Sequence, residues 1–235
     1  MSGNETGSQP SPAHGAPPAH HVPDETLLED AGGALAPAFA LAVSCHLTFC
    51  ARCRAERRRL QDLGGALLET VAPAAMSPTA LAQTMARLDD GGVTARSGPS
   101  PSGGKNDLLP FDPPPALARR LAEVTPRWRY VAPGTRGIDL PLGSDAETAH
   151  LLRLRPGLSI PRHDHGAVEA TVVFTGALLD DGQRFGPGDI LFRAPGERHE
   201  QAVDRGQVCI ALVVNAGKLV PLTLKGRLVR LIARP

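Results

Sequence analysis

The feature that most constrains the fold is a set of histidines, a glutamate and two glycines in the second half of the chain. Gly157, His163, His165, Glu169 and Gly176 follow the order G-x5-H-x-H-x3-E-x6-G. Side chains alternate between the two faces of a strand, so positions i, i+2 and i+6 share a face when the chain is extended. The apolar, β-branched stretch after the glutamate, ATVVF, favours a strand. We therefore expect the histidines and the glutamate to project together.

A second cluster follows this motif, at Gly188, Pro195, Gly196 and His199. Its histidine can supply a fourth ligand from another strand. Three imidazoles and one carboxylate suit a divalent first-row metal such as zinc, iron, manganese or nickel. The alternative is a histidine-rich hairpin on the surface. Because both motifs are present at a suitable distance, we predict a metal site.

Together the two motifs resemble the cupin superfamily, whose fold is a small β-barrel with a metal inside. The first motif matches at every position. The second departs from the family pattern because its proline is one position late, at Pro195, and Val203 replaces the usual closing asparagine. The resemblance implies four metal ligands, which are His163, His165, Glu169 and His199.

Composition limits the function classes that the chain can belong to. A length of 235 residues fits one large domain or two small ones, and 42% apolar residues are ample for a core. The net charge of +1 gives no general case for binding nucleic acid or membranes. No stretch reaches the roughly 18 apolar residues of a membrane span, and the start MSGNETGSQP lacks the pattern of a secretory signal. We expect a soluble, cytoplasmic protein.

The chain divides by composition into four segments. Residues 1–19 are mostly Pro, Gly, Ala and Ser, which predicts a disordered tail. Residues 20–89 show helical patterns, and residues 90–112 form a linker rich in Gly, Pro and Ser. Residues 113–235 contain short strand patterns between regularly spaced turn signals, which is typical of an all-β barrel. The predicted fold class is multidomain α + β, with a small bundle of about four helices before the barrel.

Individual helices are predicted from periodicity and from start and stop signals. Within the helical segment they run from Asp24 to the Gly32-Gly33 pair, over 37–47, over 50–69, and onward from Ser77-Pro78, and a further short helix covers 116–123. The third helix carries an apolar stripe of Leu60, Leu63, Leu67 and Leu68.

A second candidate metal site lies in the helical segment, at His46-x3-Cys50-x2-Cys53. On a continuous helix these positions share one face; alternatively, the cysteines lie in a turn that opens the third helix. Two thiolates and an imidazole favour zinc, which takes four ligands in structural sites. The candidates for the missing ligand are His20 and His21, besides Cys45 and His14. The alternative is a pair of buried cysteines; a thioredoxin-like motif is disfavoured because no βαβ pattern surrounds them.

H-x3-C-x2-C in a helical segment before a cupin barrel resembles the ChrR family of zinc-binding anti-sigma factors, over roughly residues 20–232. In that family the upstream zinc histidine stands in a His-His-Val context. Here His20-His21-Val22 has that context, and His21 lies 25 residues before His46. The resemblance implies a structural zinc bound by His21, His46, Cys50 and Cys53.

The resemblance also implies a function. The helical domain of such proteins binds an extracytoplasmic-function (group IV) sigma factor and blocks its docking on core RNA polymerase. The barrel, with zinc or another divalent ion, is implied in release under oxidative stress from singlet oxygen or hydroperoxides. The resemblance implies no catalysis. The tail of about 20 residues and the long linker depart from the family, and the linker is expected to loosen coupling between the domains.

Two other functions fit parts of the sequence. A cupin metalloenzyme of the dioxygenase or isomerase type, with a helical accessory domain, needs only the barrel site. A thiol sensor would form a Cys50–Cys53 disulfide when zinc leaves.

Several further residues have a structural interpretation beside a functional one. The basic run Arg52, Arg54, Arg57, Arg58 and Arg59 is either a solvated helix face or part of an interface. Cys45 and Cys209 are expected to be packed in the core. Trp128 and Tyr130 are expected to pack under the barrel.

Overall fold

The computed structural model describes residues 17–89, 109–142, 147–216 and 219–221. The predicted tail and linker fall almost entirely outside these residues. Within them the chain forms five helices followed by eleven strands. This order agrees with the predicted α + β class.

The helices begin and end close to the predicted positions. They are α1 Asp24–Ala31, α2 Pro37–Phe49, α3 Ala51–Glu69, α4 Ala80–Asp89 and α5 Pro115–Ala122. Proline is the first helical residue of both α2 and α5, where its fixed φ fits the helix and its missing N–H costs no intrahelical bond.

Packing of α1, α2 and α3 depends on a nearly apolar α2 and on two of the arginines in the basic run. Arg57 of α3 forms an ion pair with Asp30 of α1, with 2.5 Å between Nε and Oδ2. Arg54 donates to the carbonyl oxygens of Leu47 and Thr48 in the last turn of α2, at 2.6 and 3.1 Å. These two arginines therefore hold the three helices together. Arg57 does so through its ion pair, and Arg54 does so by satisfying carbonyl oxygens that a helix end leaves unpaired.

The strands form two antiparallel sheets. Their bounds are β1 Arg129–Ala132, β2 Thr135–Asp139, β3 Thr148–Leu154, β4 Ser159–His165, β5 Glu169–Thr175, β6 Leu178–Asp180, β7 Gln183–Phe185, β8 Ile190–Arg193, β9 Arg198–Val203, β10 Cys209–Asn215 and β11 Leu219–Pro221. One sheet has the order β1-β2-β3-β10-β5-β8 and the other has the order β11-β4-β9-β6-β7. Asp181-Gly182 forms the β6–β7 hairpin tip, as predicted, with positive φ at both residues.

The strand β5, which lies between β10 and β8, is buried on both faces. Val173 belongs to the cluster between the two sheets, together with residues such as Phe185 and Cys209. Ala170, Val172 and Phe174 belong to a different cluster, which includes the helices. Strand alternation explains the division, because successive side chains point to opposite sides of the sheet. The six-stranded sheet is thus covered by helices on one face and by the second sheet on the other.

The helices and the barrel share one continuous hydrophobic core. Buried residues of α1, α2 and α5 pack in the same cluster as residues of β3, β5 and β10. At the start of α2, the carboxylate of Glu147 accepts a hydrogen bond from the backbone N–H of Ala38 at 3.1 Å. The loosened coupling expected from the linker is therefore not what the structure shows, because α2 lies directly on the sheet.

One of the two aromatic residues expected under the barrel, Tyr130, lies on the surface. Trp128 is partly buried against the core, but Tyr130 on β1 is 66% exposed. The strand β1 is at the edge of its sheet, and its residues are exposed or half-buried along its whole length. Among the described helices, none is both long and apolar enough to cross a membrane.

Two candidate metal centres

The front site is the cluster formed by His21, His46, Cys50 and Cys53, whose potential ligand atoms all lie within 4.8 Å of one another. His21 lies in the segment before α1, and His46 lies in the last turn of α2. His46 Nε2 is 3.3 Å from Cys53 Sγ. His21 Nδ1 is 3.3 Å from Cys50 Sγ and 3.7 Å from Cys53 Sγ. Nitrogen and sulfur ligands around a tetrahedral zinc are roughly 3.3–3.8 Å apart, so the spacing fits that ion.

A break between two helices brings the cysteines to this cluster. Cys50 has an extended conformation and lies between α2 and α3. Its Sγ accepts a hydrogen bond from the backbone N–H of Cys53 at 3.4 Å, so it caps the start of α3. Of the two geometries that the sequence allowed, the turn that opens the third helix is the one found.

Burial controls the protonation of the front site. Burial lowers the pKa of His46 to about 4, although its hydrogen bond to Gly188 opposes the change. Burial also raises the pKa of Cys53 to about 11. The neutral imidazole is ready to bind a metal, whereas the Cys53 thiolate needs more positive charge nearby than Arg52 supplies. A divalent cation would supply that charge, so the donor set fits a metal ion.

The other candidates for the fourth front ligand lie elsewhere. His20 turns toward the barrel, with its ring 4.1 Å from that of Phe185 and its Nε2 2.8 Å from Gln183. Cys45 is fully buried, and burial raises its pKa to about 12. His14 lies outside the described residues. The structure thus brings His21, and not His20 or Cys45, to the cluster.

The barrel site contains three histidines whose Nε2 atoms converge between the sheets. His163 and His165 lie on β4, and His199 lies on the adjacent strand β9, directly opposite His163. His199 Nε2 is 2.6 Å from His165 Nε2 and 3.0 Å from His163 Nε2. All three side chains are buried, and burial lowers the pKa of His163 and, to about 4, that of His165. Imidazole nitrogens so close together can share a cation.

Glu169 reaches the barrel site from a different strand than the motif suggested. It is the first residue of β5, in the six-stranded sheet, whereas β4 ends at His165 in the other sheet. The single extended strand that the spacing suggested is interrupted at 166–168. Glu169 Oε2 lies 3.4 Å from His165 Nδ1, and the group of mutually close ligand atoms contains the three histidines without it. Burial raises its pKa to about 7, which a bound cation would reverse.

Asp180 belongs to the barrel site through its contact with His199, and the sequence provided no expectation for it. Its Oδ2 lies 2.7 Å from His199 Nδ1 and accepts a hydrogen bond from Gln201 at 2.9 Å. Arg193 pairs with its other oxygen. Burial opposes ionisation of this carboxyl, but the three hydrogen bonds outweigh burial and hold its pKa at about 2. No signal in the sequence identifies it, because Asp180-Asp181-Gly182 has only the composition of a turn.

Known proteins resemble this chain over both of its parts. The ChrR cupin-like domain family matches residues 122–219. The anti-sigma-E factor ChrR of Cereibacter sphaeroides is 38% identical over 200 residues, which span 85% of this chain and 91% of that protein.

The solved structures include a similar match. A chain in the crystal structure of Rhodobacter sphaeroides SigE in complex with the anti-sigma ChrR superposes with a TM-score of 0.70 and 36% identity. The match covers 83% of this chain and 98% of that one. A match of this identity along most of both sequences shows that the chain belongs to the ChrR family of anti-sigma factors.

Proposed function

We propose that this protein is a cytoplasmic anti-sigma factor, which sequesters an extracytoplasmic-function sigma factor and releases it in response to singlet oxygen or hydroperoxides. One observation carries the proposal: the chain matches, over both its helical and barrel parts, a chain that was solved in a complex with SigE. The related proteins that span both parts are regulators, which favours regulation over a cupin metalloenzyme.

We infer that the front site binds zinc through His21, His46, Cys50 and Cys53. These residues join the segment before α1 to the junction of α2 and α3. A helical domain of residues 20–89 buries little surface by itself, and a structural zinc adds stability that a small core lacks. Zinc at this junction would therefore fix the relative positions of the first three helices.

We infer that the barrel domain, residues 113–235, holds zinc or another divalent ion. His163, His165 and His199 would bind it, and Glu169 would complete the set after a small movement of its side chain toward the histidine nitrogens. A buried cation surrounded by neutral imidazoles and one carboxylate has its charge partly compensated, as an enclosed metal requires.

Exposed apolar side chains on two helices of the helical domain support binding of a protein partner. We call these residues together the α3–α4 face, and they are Leu63, Leu67, Leu68, Leu81, Met85 and Leu88. Leu68 and Leu81 are each 71% exposed. Large apolar patches on a surface mark sites of interaction. Sigma factor is the partner that fits this surface, because the related structure contains one.

Removing the front thiolates tests the proposal. The double variant Cys50→Ser, Cys53→Ser should lose zinc and fail to retain the sigma factor in a pull-down from co-expressing cells, because metal binding and folding are coupled. The control is His163→Ala, which removes a barrel ligand and should still retain the sigma factor. Undiminished binding by the zinc-free double variant would contradict the role of the front site.

A further inference from the structure

The turn between β7 and β8, residues 186–189, reaches from the barrel to the front metal site. The backbone carbonyl of Gly188 accepts a hydrogen bond from His46 Nδ1 at 2.7 Å. A carbonyl only accepts, so this bond puts the proton on Nδ1. The other nitrogen, Nε2, is left unprotonated and faces Cys53 Sγ at 3.3 Å. We call residues 186–189 the barrel turn.

The same turn holds the segment that carries His21. Asp189 Oδ1 accepts hydrogen bonds from the backbone N–H groups of Ala19 and His20, at 2.7 and 2.9 Å. Its Oδ2 lies 3.2 Å from the His20 ring nitrogen Nδ1 and accepts from the N–H of Gly186 at 2.7 Å. Asp189 is buried. The residue next to a front ligand is therefore fixed by a buried carboxylate of the barrel.

The contact between the barrel turn and the helices is too close for a side chain at residue 188. Gly188 has a φ of +88°, and a Cβ there would lie 2.8 Å from Phe49 Cβ and 2.9 Å from Pro18 Cγ. Gly182, in the neighbouring hairpin, has a nearly equal φ of +84°, but a Cβ there would meet nothing within 4 Å. The two glycines have the same backbone requirement and differ in their contact with the front segment.

We propose that the barrel turn completes the front metal site: Gly188 orients His46, Asp189 orients the segment that bears His21, and metal retention at the front depends on both. The inference rests on the proposed front metal site. Gly188 and Asp189 are positioning residues, because neither belongs to the group of candidate ligands and each acts through another residue. By linkage, any change in the barrel that moves this turn also changes how firmly the front site holds its ion.

Groups that orient metal ligands have a measurable influence on the metal. Loss of such a partner lowers metal affinity by about 10- to 100-fold in characterised sites. The expected effect is thus a front site that still forms but releases its metal about ten times faster or more when the turn is disturbed.

Cobalt(II) distinguishes the two metal sites in the full-length protein. Only the front site contains thiolates, so only cobalt bound there gives a thiolate-to-cobalt charge-transfer band. The probe is cobalt(II) alone, loaded into the purified chain, and the measurement is the decay of that band after addition of excess EDTA. Cobalt in the barrel has no sulfur ligand and does not contribute to this band.

Two variants, each with a matched control, test the proposal. Gly188→Ala should release front-site cobalt about tenfold faster or more, whereas Gly182→Ala, with the same backbone strain, should release it at the wild-type rate. Asp189→Ala should also release front-site cobalt faster than the wild type. Asp189→Asn should release it more slowly than Asp189→Ala, because asparagine keeps an acceptor oxygen. Its control is Asp204→Ala, which removes the carboxylate that caps the N–H of Gly206 in another turn of the barrel.

The outcomes separate this inference from the front metal site itself. Wild-type release rates in both Gly188→Ala and Asp189→Ala would overturn the inference alone. A wild-type chain that binds cobalt without a thiolate band would overturn the front site and the inference together. If Gly188→Ala does not fold, the comparison of Asp189→Ala with Asp204→Ala decides, and equal rates in that pair overturn the inference.

Discussion

Three of the candidate ligand histidines are oriented through the ring nitrogen that faces away from the metal. Pro161 O lies 3.0 Å from His163 Nδ1, Asp180 lies 2.7 Å from His199 Nδ1, and Gly188 O lies 2.7 Å from His46 Nδ1. Such partners select the tautomer and fix the ring, which makes the remaining nitrogen a better ligand. The same arrangement therefore occurs in both candidate metal sites, although the partner is a carbonyl in two cases and a carboxylate in one.

Asp180→Asn should weaken metal binding in the barrel about 10- to 100-fold, because His199 loses its anionic partner and Arg193 loses its counter-charge. The front site should keep its metal. Metal analysis after dialysis against a series of chelator concentrations checks both expectations. The control is Asp181→Asn, one residue away, which has a positive φ that asparagine tolerates. Equal barrel affinity in the Asp180 and Asp181 variants would contradict the prediction.

The buried thiol of Cys209 should make stability fall at alkaline pH. Burial raises its pKa from an ordinary value of 9.0 to about 12. Between these values the unfolded chain has lost the proton and the folded chain has kept it. The contribution of this thiol to the free energy of unfolding is therefore fully present below pH 9. It is lost as pH rises toward 12, by about 1.4 kcal/mol per pH unit.

Urea unfolding from pH 8 to pH 11 measures this slope. Cys209→Ala should be less stable at pH 8, because it leaves a small cavity, but its stability should fall less steeply above pH 9. An identical pH dependence in the variant and the wild type would show that Cys209 does not contribute to it.

At the scale of elements, the helix α3 changes character along its length. Its first half packs against α1 and α2, with Cys53 buried and Leu60 partly buried against the core. In its second half, Leu63, Leu67 and Leu68 are exposed. Periodicity predicted an apolar stripe along this helix, and the stripe exists, but only its beginning is covered within the described part of the chain.

Leu67→Glu should weaken binding of the sigma factor at least tenfold with little change in thermal stability. Leu67 is 61% exposed, so the substitution removes little packing inside the chain, while a charge on the α3–α4 face disturbs an apolar contact. Calorimetric titration and a thermal melt measure the two effects. Leu60→Glu is the contrast, because a charge against the core should lower the melting temperature; unchanged affinity in Leu67→Glu would exclude this face.

The existence of the strand β5 could be predicted from its sequence, but the sheet in which it lies could not. Its apolar, β-branched composition predicted a strand, and the strand spans Glu169–Thr175. The spacing did not show that Glu169 begins a new strand in the other sheet. The spacing of the motif predicts which residues come close together. It does not predict the path of the chain between them, which here depends on the turn at 166–168.

For the whole molecule, the continuous core predicts a single cooperative unfolding transition in the metal-loaded chain. The buried faces of α2 and α5 would be exposed to water if the helices separated from the sheet, since α2 packs on β5 and β10. Scanning calorimetry of the full-length protein should give one transition with equal calorimetric and van't Hoff enthalpies. Two resolved transitions would show that the helical domain and the barrel unfold independently.

The sequence by itself determined which side chains make up the two candidate sites and the order of the elements. Most of the candidate ligands are separated by only one to three residues within a motif, so His46, Cys50, Cys53 and the barrel histidines could be named from the chain alone, although the front three do not share one continuous helix. The choice of His21 came from a family resemblance. Helix bounds followed from local composition in the same way.

Only the tertiary structure decided which groups orient those ligands and how the two parts meet. Asp180, Gly188 and Asp189 are distant in sequence from at least one histidine that they hold, and their roles depend on the direction in which a turn points after the sheets have formed. A turn sequence specifies that the chain reverses, not what lies beside it. The contact that joins barrel to helices was thus set by packing across the core, over separations of 142 to 170 residues.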